Sequence, residues 1–300
     1  MKNILLNTST FSFNDFPNDY CFVPNAYKRK LTAEENAARI RSYQPVGIVA
    51  GVEVYDRHVL DIAKQAGVKV ISRCGVGTDA LDLEYAKAIG IKVVTTHQAP
   101  MVAVAELAIA LMLSLLRNIT AANQAVKTAH WSKPAGRLLS GKVVGIIGCG
   151  RIGSCVARIL EAFDAKCVGY DPYIQHHPVC EMTSLDEVLA RSDIVTLHMP
   201  LNESTANMIG AEQIGRMKPG ALLINTARGG LVDEQALIEG LRNGYLAGAG
   251  IDVYTHEPYD GELCGIDSVV LTPHIGSSAK EARMNMEREA LENLMNELAD

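Results

Sequence analysis

The sequence lacks the excess of basic residues and the cysteine spacing that are typical of nucleic-acid-binding and metal-binding proteins. Its 28 Lys and Arg residues are outnumbered by 34 Asp and Glu residues, and a net charge of -6 leaves no basic excess for binding nucleic acid. Its seven cysteines include no Cys-x-x-Cys pair and no His/Cys ligand spacing, so no metal site is predicted. We expect reduced thiols in a cytoplasmic protein, no metal ion and no nucleic-acid partner.

The sequence also lacks a segment that could cross or enter a membrane. Its longest apolar stretch, residues 101–116, is interrupted by Glu106 and Ser114 and is shorter than the roughly 20 residues that a membrane span requires. The N-terminus has one lysine and a very short apolar run before polar residues, which is too short for a signal peptide. We therefore expect no membrane partner and a cytoplasmic location.

What the sequence does contain is the pattern of a parallel α/β protein. Its 300 residues, 48% of them hydrophobic, suffice for two domains at about 150 residues each. Short β-branched segments alternate with helical ones, which is typical of parallel sheets covered by helices. Strands are predicted at 2–7, 46–51, 68–73, 91–96, 142–148, 165–171, 193–199, 221–227, 247–253 and 268–274, and helices at 32–43, 56–66, 79–89, 101–130 and 278–300.

A glycine motif follows the strand at 142–148. Gly148, Gly150 and Gly153 have the spacing G-x-G-x-x-G between a strand and a helix, which is the context of a dinucleotide site. The first glycine permits the tight turn, the second lets a pyrophosphate approach, and the third lets the helix pack on the strand. The backbone N–H groups of Arg151 and Ile152 are then expected to face the phosphates.

Asp171 strengthens this interpretation. It ends the next predicted strand, 171 − 150 = 21 residues after the central glycine, where a carboxylate can bind the ribose hydroxyls of NAD. Its charge would repel a 2′-phosphate, and no arginine follows in DPYIQHH, so NAD is favoured over NADP. The alternative is that Asp171 and Pro172 form only a turn.

Three polar residues at predicted strand ends are candidates for the chemistry. His274 closes SVVLTPH, Glu257 follows another strand in DVYTHEP, and Arg228 follows a third in INTARGG. A neutral imidazole can take the proton of an alcohol, a carboxylate can fix its tautomer, and a guanidinium can hold a substrate carboxylate. The alternatives are a structural histidine and an arginine in a solvated turn.

The ordered motifs resemble those of the D-isomer-specific 2-hydroxyacid dehydrogenases, and most of all the D-3-phosphoglycerate dehydrogenase branch. The segments that carry the resemblance are GCGRIG with Asp171, LHMPLNEST, MKPGALLINTARGGLVDE, AGAGIDVYTHEP and LTPHIG. It implies two Rossmann-like or flavodoxin-like domains with parallel sheets. The NAD-binding domain, 99–276, would be inserted within a substrate domain made of 1–98 and 277–300. The helix after residue 100 would form a homodimer interface.

The resemblance also implies roles for individual residues. His274 would be the acid/base, Glu257 its partner, and Arg228 the group that holds the substrate carboxylate. The backbone of Cys74, Gly75, Val76 and Gly77 would bind the same carboxylate. The residues expected to line the cofactor site are Gly148, Gly150, Arg151, Ile152, Gly153, Asp171, Pro172, His198, Pro200, Thr205, Thr226, Ala227, Arg228, Asp252, His274 and Gly276, with Asp252 near the nicotinamide amide. Alternatively, His198 is a structural histidine buried at the end of its strand.

The sequence departs from the phosphoglycerate branch near the expected substrate. Glu53 lies in VAGVEVYD, where that branch usually has an arginine for the phosphate, and the segment THQAPMVAVAE is altered around His97, Gln98 and Met101. We therefore expect a D-2-hydroxyacid other than 3-phosphoglycerate. An anion could still bind Arg73 or the basic run Lys28, Arg29 and Lys30, which is alternatively a solvated charge run.

Other functions remain open at this point. One is 3-phosphoglycerate dehydrogenase activity itself. Another is an NAD(H)-sensing, corepressor-like protein without catalysis, and a third is a methyltransferase or lyase on a related fold, which would not need the Arg228, Glu257 and His274 set.

Overall fold

A computed structural model describes residues 1–11 and 16–299 of the chain. The described chain divides into two compact units, one formed within residues 1–100 and 278–300 and the other by residues 101–277. Each unit contains a single parallel sheet, which confirms the predicted α/β class.

The first unit is built on a five-stranded parallel sheet in the order β2-β1-β3-β4-β5. Its strands are β1 (Lys2–Leu6), β2 (Tyr20–Pro24), β3 (Gly47–Ala50), β4 (Val70–Arg73) and β5 (Lys92–Thr95), and its helices are α1 (Ala33–Tyr43), α2 (Arg57–Gln65), α3 (Leu83–Ala88) and α10 (Lys280–Ala299). One apolar core contains residues of α1, α2 and α3, and a second contains residues of α10. The sheet is therefore covered on both faces, which explains its almost continuously apolar central strands.

Side-chain caps determine where α1, α2 and α3 of the first unit begin. Thr32 accepts from the backbone N–H of Glu35, and the Glu35 carboxylate accepts in return from the N–H of Thr32, which forms a capping box. Asp56 and Asp82 cap α2 and α3 in the same sense, by accepting from the N–H three residues later.

The second unit is built on a seven-stranded parallel sheet in the order β12-β11-β10-β9-β6-β7-β8. Its strands are β6 (Val143–Ile147), β7 (Lys166–Tyr170), β8 (Glu181–Met182), β9 (Ile194–Leu197), β10 (Leu222–Asn225), β11 (Gly248–Ile251) and β12 (Val269–Leu271). Its helices are α4 (Met101–Leu116), α5 (Ile119–Lys127), α6 (Arg151–Glu161), α7 (Leu185–Arg191), α8 (Ala211–Arg216) and α9 (Glu234–Arg242). The order reverses between β6 and β9, so the carboxyl ends of these strands flank the crevice where open sheets bind ligands.

Two expectations about single elements were wrong. The helical run predicted from 101 to 130 is broken, because Asn118 takes a left-handed conformation with φ 53° between α4 and α5. Strands β2 and β8 were not predicted, since both lie at sheet edges and β8 has only two residues.

Among the described residues, no single helix is long and apolar enough to span a membrane. Only α4 and α5 taken together meet that test, and they are bent by 63° relative to each other. Most of the apolar side chains of α4 pack in the core of the second unit.

Candidate active site

The glycine motif forms a turn in which two of the three glycines allow close backbone contacts. Gly148 has φ +96°, and a Cβ on it would lie 2.6 Å from the carbonyl carbon of His198. A Cβ on Gly153 would lie 2.0 Å from the carbonyl oxygen of Gly148. Any side chain at either position would therefore push the turn away from β9 or from the first turn of α6.

Gly150 faces open space instead. No atom lies within 4 Å of the position that its Cβ would occupy, outside its immediate neighbours. It is the N-cap of α6, and no side chain caps that end, so the first N–H groups of the helix, including those of Arg151 and Ile152, are available to an anion. An open Cβ position beside an uncapped helix N-terminus fits the pyrophosphate of a dinucleotide.

Asp171 lies beside this turn. One carboxylate oxygen accepts from the N–H of Cys149 at 3.0 Å and the other from the N–H of Tyr173 at 2.9 Å. The second contact closes a turn around Pro172, so the turn named above as the alternative is present. A carboxylate has about four acceptor positions, so two remain for ribose hydroxyls.

The segment after β9 lies against the glycine turn through His198. The Nε2 atom of His198 is 3.0 Å from the Thr196 hydroxyl, and burial lowers the pKa of its ring to about 4. The hydroxyl of Thr205 donates to the carbonyl of Pro200 at 2.7 Å and accepts from the N–H of Asn202. Thr205 therefore stabilises the loop that begins at Pro200.

The loop after β10 carries Thr226, Ala227 and Arg228. Asn225 shapes this loop, because its side chain accepts from the N–H of Ala227 and donates to the carbonyl of Arg228. Nη1 of Arg228 donates to the carbonyl of Ala227 at 2.7 Å. The hydroxyl of Thr226 is buried without a hydrogen-bond partner among the described residues, so it has a polar atom to offer a ligand.

His274 and Glu257 form a direct pair. Nδ1 of His274 lies 3.0 and 2.9 Å from the two carboxylate oxygens of Glu257, and both side chains are partly exposed. The Glu257 carboxylate also accepts from the backbone N–H of Tyr254. Because Nδ1 faces a carboxylate, Nε2 is the ring nitrogen that can exchange a proton with a substrate.

The backbone of His274 is in the left-handed region, with φ 52°. Asp252, which is fully buried, holds this turn by accepting from the N–H groups of Ile275 and Gly276 at 2.8 Å each, and from the Thr272 hydroxyl at 2.6 Å. Strained backbone of this kind persists only where its surroundings enforce it, and it is common at functional sites. Asp252 thus supports the residue that carries the imidazole.

Gly229 brings the Arg228 loop next to the Glu257 loop. A Cβ on Gly229 would lie 2.0 Å from the carbonyl carbon of Tyr254 and 2.4 Å from the nitrogen of Thr255. Only glycine allows two backbones to approach this closely. The second unit therefore places the loops of Arg228, Glu257 and His274 at the carboxyl ends of the neighbouring strands β10, β11 and β12.

The loop after β4 in the first unit carries Cys74, Gly75, Val76 and Gly77. The N–H of Cys74 donates to Ala50, and that of Gly75 donates to the Thr96 hydroxyl at 2.7 Å. The described residues provide no acceptor for the N–H groups of Val76 and Gly77, so these two fit a carboxylate best. Burial raises the pKa of the Cys74 thiol to about 11.

Three further candidates lie in the first unit. Arg29, the central residue of the basic run, forms a two-point ion pair with Glu35. This ion pair stabilises the start of α1. The side chains of His97 and Gln98 are exposed. Their backbone N–H groups donate to Oε1 of Glu289, at N···O distances of 2.8 and 3.4 Å. Arg73 donates to the carbonyl of Cys74.

Sequence reasoning missed several supporting residues. Asn225, Tyr254, Thr272 and Glu289 act by shaping loops, and none belongs to a spacing pattern that signals this. The one available signal was position, since Asn225 and Thr272 lie at the ends of strands. Among the described residues, no group of three His, Cys, Asp or Glu side chains is placed to hold a metal ion.

Comparison with known proteins identifies the family. Residues 109–276 match the model of the NAD-binding domain of the D-isomer specific 2-hydroxyacid dehydrogenases. The chain belongs to this family. Its second unit therefore contains an NAD-binding domain of Rossmann type, as the glycine turn and Asp171 predicted.

Two curated relatives and one solved structure illustrate the similarity. The chain is 41% identical over 261 residues to the D-3-phosphoglycerate dehydrogenase of Methanocaldococcus jannaschii, covering 84% of this chain and 49% of that protein. It is 42% identical over 238 residues to the hydroxypyruvate reductase of Thermotoga maritima, covering 77% and 78%. The NADPH-dependent glyoxylate/hydroxypyruvate reductase of Sinorhizobium meliloti, solved with citrate, superposes with a TM-score of 0.87 at 28% identity and covers 100% of this chain and 95% of that one. The chain thus spans about half the length of the first of these relatives.

Proposed function

We propose that the protein is an NAD-dependent oxidoreductase that transfers a hydride between nicotinamide and C2 of a D-2-hydroxyacid or its 2-oxo acid. The observation that carries the proposal is the pair of His274 and Glu257 on strand-end loops next to the loop of Arg228. Bound NAD(H) supplies the hydride acceptor or donor. The residues of this chain supply the proton and hold the substrate.

His274 is the acid/base in this proposal. In the direction of oxidation, Nε2 takes the hydroxyl proton as the C–H bond at C2 gives up its hydride, and the C2–O bond becomes a carbonyl. In reduction the same nitrogen returns the proton to the carbonyl oxygen. Glu257 fixes the tautomer through Nδ1, and Arg228 holds the substrate carboxylate.

The first unit has a candidate carboxylate-binding loop of its own, after β4. Residues 1–98 and 277–300 would form the substrate domain, and 99–276 the cofactor domain inserted within it. The N–H groups of Val76 and Gly77, which have no acceptor among the described residues, support a role of this loop in binding a carboxylate. Position 53 holds a glutamate and not a basic residue, which favours a substrate without a phosphate.

A panel of 2-oxo acids with NADH and NADPH tests the proposal. We expect turnover with NADH, weaker binding of NADPH because Asp171 repels a 2′-phosphate, and no turnover by His274→Ala. NADH fluorescence titration of that variant should give a dissociation constant within about twofold of the wild type, because the substitution removes the proton-transferring ring and leaves the other residues of the cofactor site in place. Equal affinities for NADH and NADPH would contradict the assignment of Asp171.

Two alternatives have distinct outcomes in the same panel. If 3-phosphohydroxypyruvate is the best substrate, the protein is a phosphoglycerate dehydrogenase, a name borne by the Methanocaldococcus relative. If no 2-oxo acid is turned over while NADH binds tightly, an NAD(H)-sensing, corepressor-like protein is favoured. The intact set of Arg228, Glu257 and His274 supports the enzyme.

We also propose a cytoplasmic homodimer. All seven cysteines are free thiols, which suits a reducing compartment. The side chains of α4 mostly pack inside their own unit, so the interface would extend to α5 and the segment after it, where Ile119, Val126, Trp131 and Leu138 are exposed. Light scattering after chromatography should give the mass of a dimer for the wild type and of a monomer for Val126→Asp. Tyr173→Ser, at an exposed aromatic outside this segment, is the control, and a monomeric wild type would contradict the proposal.

A further inference from the structure

Three buried cysteines of the second unit meet on one face of β7. Positions 167 and 169 of this strand face the same side, because side chains alternate along a strand. The thiol of Cys180, the residue before β8, interacts with the thiols of both Cys149 and Cys167. The three cysteines belong to one apolar core, and all of them are free thiols.

Gly169 makes room for two of these cysteines. A Cβ at this position would lie 2.7 Å from Sγ of Cys149 and 3.3 Å from Cβ of Cys180. A side chain on residue 169 would therefore occupy the space in which these two cysteines lie next to each other.

Cys149 and Cys180 are the pair best able to form a disulfide. A disulfide places the two sulfurs about 2.0 Å apart and the two Cα atoms about 4.4–6.8 Å apart, so thiols that are only in contact must move towards each other. Cys149 lies in the glycine turn and Cys180 in the segment before β8, both outside the strands. Cys167 lies within β7 and is held by its register with Val144 of β6. The two loop residues can adjust their backbones more easily than Cys167 can.

Cys180 also activates Cys149. Its hydrogen bond lowers the pKa of the Cys149 thiol, and the thiolate is the form that attacks an oxidant. The same contact raises the pKa of the Cys180 thiol, so the proton stays on Cys180. Because both thiols are buried, the oxidant has to be as small as hydrogen peroxide. Its route is local opening of residues 172–179, which are exposed or partly exposed and outside the strands.

The backbone of Cys149 is part of the cofactor turn. Its N–H donates to the Asp171 carboxylate at 3.0 Å, and its carbonyl accepts from the Ser154 hydroxyl at 2.9 Å. The turn is tightly packed, since two of its glycines lie too close to neighbouring backbone to accept a Cβ. A movement of Sγ of Cys149 towards Cys180 therefore shifts this backbone, and with it the groups that face the ribose and the pyrophosphate.

We propose that Cys149 and Cys180 form a reversible disulfide with hydrogen peroxide, and that this disulfide weakens the binding of NAD(H). The Cys149 thiolate attacks one peroxide oxygen, the O–O bond breaks, and the leaving hydroxide takes up a proton to become water, which leaves a sulfenic acid on Cys149. Sγ of Cys180 then attacks that sulfur, the S–S bond forms, and the hydroxyl leaves with the Cys180 proton as a second water. Each sulfur loses one electron, and the peroxide is reduced to two waters. The inference concerns NAD(H) binding and holds whichever acid is the substrate.

Peptide mapping tests the first half of the inference. The full chain is treated with hydrogen peroxide, its remaining thiols are blocked with N-ethylmaleimide, and it is digested with trypsin. Cys149 lies in the tryptic peptide 143–151, whereas Cys167 and Cys180 lie together in 167–191. We expect the two peptides to be joined, with fragmentation placing the bond at Cys180. A bond within 167–191, a bond from Cys149 to Cys167, or no bond would overturn the inference.

NADH fluorescence titration of the oxidised protein tests the second half. We expect the dissociation constant to rise by about tenfold or more, because the hydrogen bond that orients Asp171 is disturbed. Dithiothreitol should restore the original value, since thiols reduce a disulfide but not a sulfinic acid. An unchanged dissociation constant, or a loss that dithiothreitol does not reverse, would also overturn the inference.

Cys180→Ser and Cys167→Ser are a matched pair of variants. Each replaces one buried thiol of the cluster by a hydroxyl, but only the first removes a member of the disulfide. Before oxidation both should bind NADH as the wild type does, and after peroxide treatment only Cys167→Ser should lose affinity. Cys180→Ala repeats the comparison without a buried hydroxyl. An equal loss in the Cys180 variants would show that peroxide acts without the disulfide, and the inference would fail.

Discussion

Oδ1 of Asp252 accepts a 2.8 Å hydrogen bond from the backbone N–H of Ile275, the residue that follows His274. Its other oxygen accepts from the N–H of Gly276 at the same distance. Both oxygens of a fully buried carboxylate are therefore used to hold the turn in which His274 has φ 52°. A left-handed backbone at a residue other than glycine costs about 1–3 kcal/mol, which these charge-assisted hydrogen bonds offset.

The first prediction concerns Asp252→Asn. The amide keeps one acceptor but turns an NH2 group towards Ile275 or Gly276, so one buried donor loses its partner. We expect unfolding in urea to show a loss of about 1–3 kcal/mol. We also expect kcat to fall more than NADH affinity, because the turn that orients the imidazole is loosened.

The control for this prediction is Asp186→Asn, on an exposed carboxylate that pairs with Arg216. Exposed ion pairs contribute about 0–1 kcal/mol, so its stability and kcat should stay near those of the wild type. If Asp252→Asn reduces NADH affinity as much as it reduces kcat, Asp252 acts through the nicotinamide and not through the turn.

The second prediction concerns Gly229→Ala. A methyl group there would overlap the backbone between Tyr254 and Thr255, at 2.0 to 2.4 Å, and would separate the loop of Arg228 from that of Glu257. We expect kcat/KM to fall by about a hundredfold or more, because small displacements of positioned groups have large effects on rate. Steady-state kinetics measure this directly.

Gly230→Ala is the neighbouring control. There the methyl would meet the end of the flexible Leu201 side chain at 3.0 Å, which can move aside. Its kcat/KM should remain within about threefold of the wild type, since no backbone has to shift. Equal losses in the two variants would mean that the close approach of Gly229 has no special role.

The cofactor turn was predictable from the sequence, whereas the support of His274 was not. Gly148, Gly150 and Gly153 act within a few residues of one another, so their spacing alone carries the information. Asp252 bonds to groups 23 and 24 residues further along the chain, and this pairing exists only after β11 and β12 are adjacent. Resemblance had assigned Asp252 to the nicotinamide, and no pattern pointed to its contacts with the turn.

The same distinction applies to the fold. Central strands were predicted because burial on both faces makes them continuously apolar, as in Leu222–Asn225. Edge strands such as Glu181–Met182 have no such constraint. The hydrogen bonds of the buried Glu53 carboxylate to Gly51 and Tyr55 were also beyond prediction, since the sequence shows an acidic residue in an unusual place but not its partners.

The third prediction separates two glycines of the cofactor turn. Gly150→Ala places a methyl in open space, so we expect the unfolding free energy to fall by no more than about 1 kcal/mol, the usual cost of a poorer N-cap residue. Because that space is where a pyrophosphate would approach, NADH affinity should fall by about tenfold or more. Thermal unfolding and fluorescence titration give the two quantities.

Gly153→Ala should instead have its main effect on stability. Its methyl would lie 2.0 Å from the carbonyl oxygen of Gly148, so we expect a loss of about 3 kcal/mol or more in unfolding free energy. A Gly150→Ala protein that binds NADH as well as the wild type would show that the pyrophosphate does not approach this residue.

The last prediction concerns His198 and pH. Burial lowers the pKa of its ring from 6.5 to about 4 in the folded protein, so the folded state keeps this ring neutral while the unfolded state binds a proton below about pH 6.5. Stability is therefore present above that pH and declines as the pH falls from about 6.5 to 4, by at most about 3 kcal/mol. Urea unfolding of the cofactor-free protein across this range should show the decline.

Replacing the ring isolates this effect from other titrating groups. His198→Gln should have a shallower decline than the wild type, and His58→Gln, at an exposed position of α2, should have the same decline as the wild type. The buried Glu53, whose pKa is raised by burial, contributes equally to all three proteins, so it cancels in the comparison. Identical slopes for His198→Gln and the wild type would mean that the ring of His198 is protonated in the folded state as readily as in the unfolded chain.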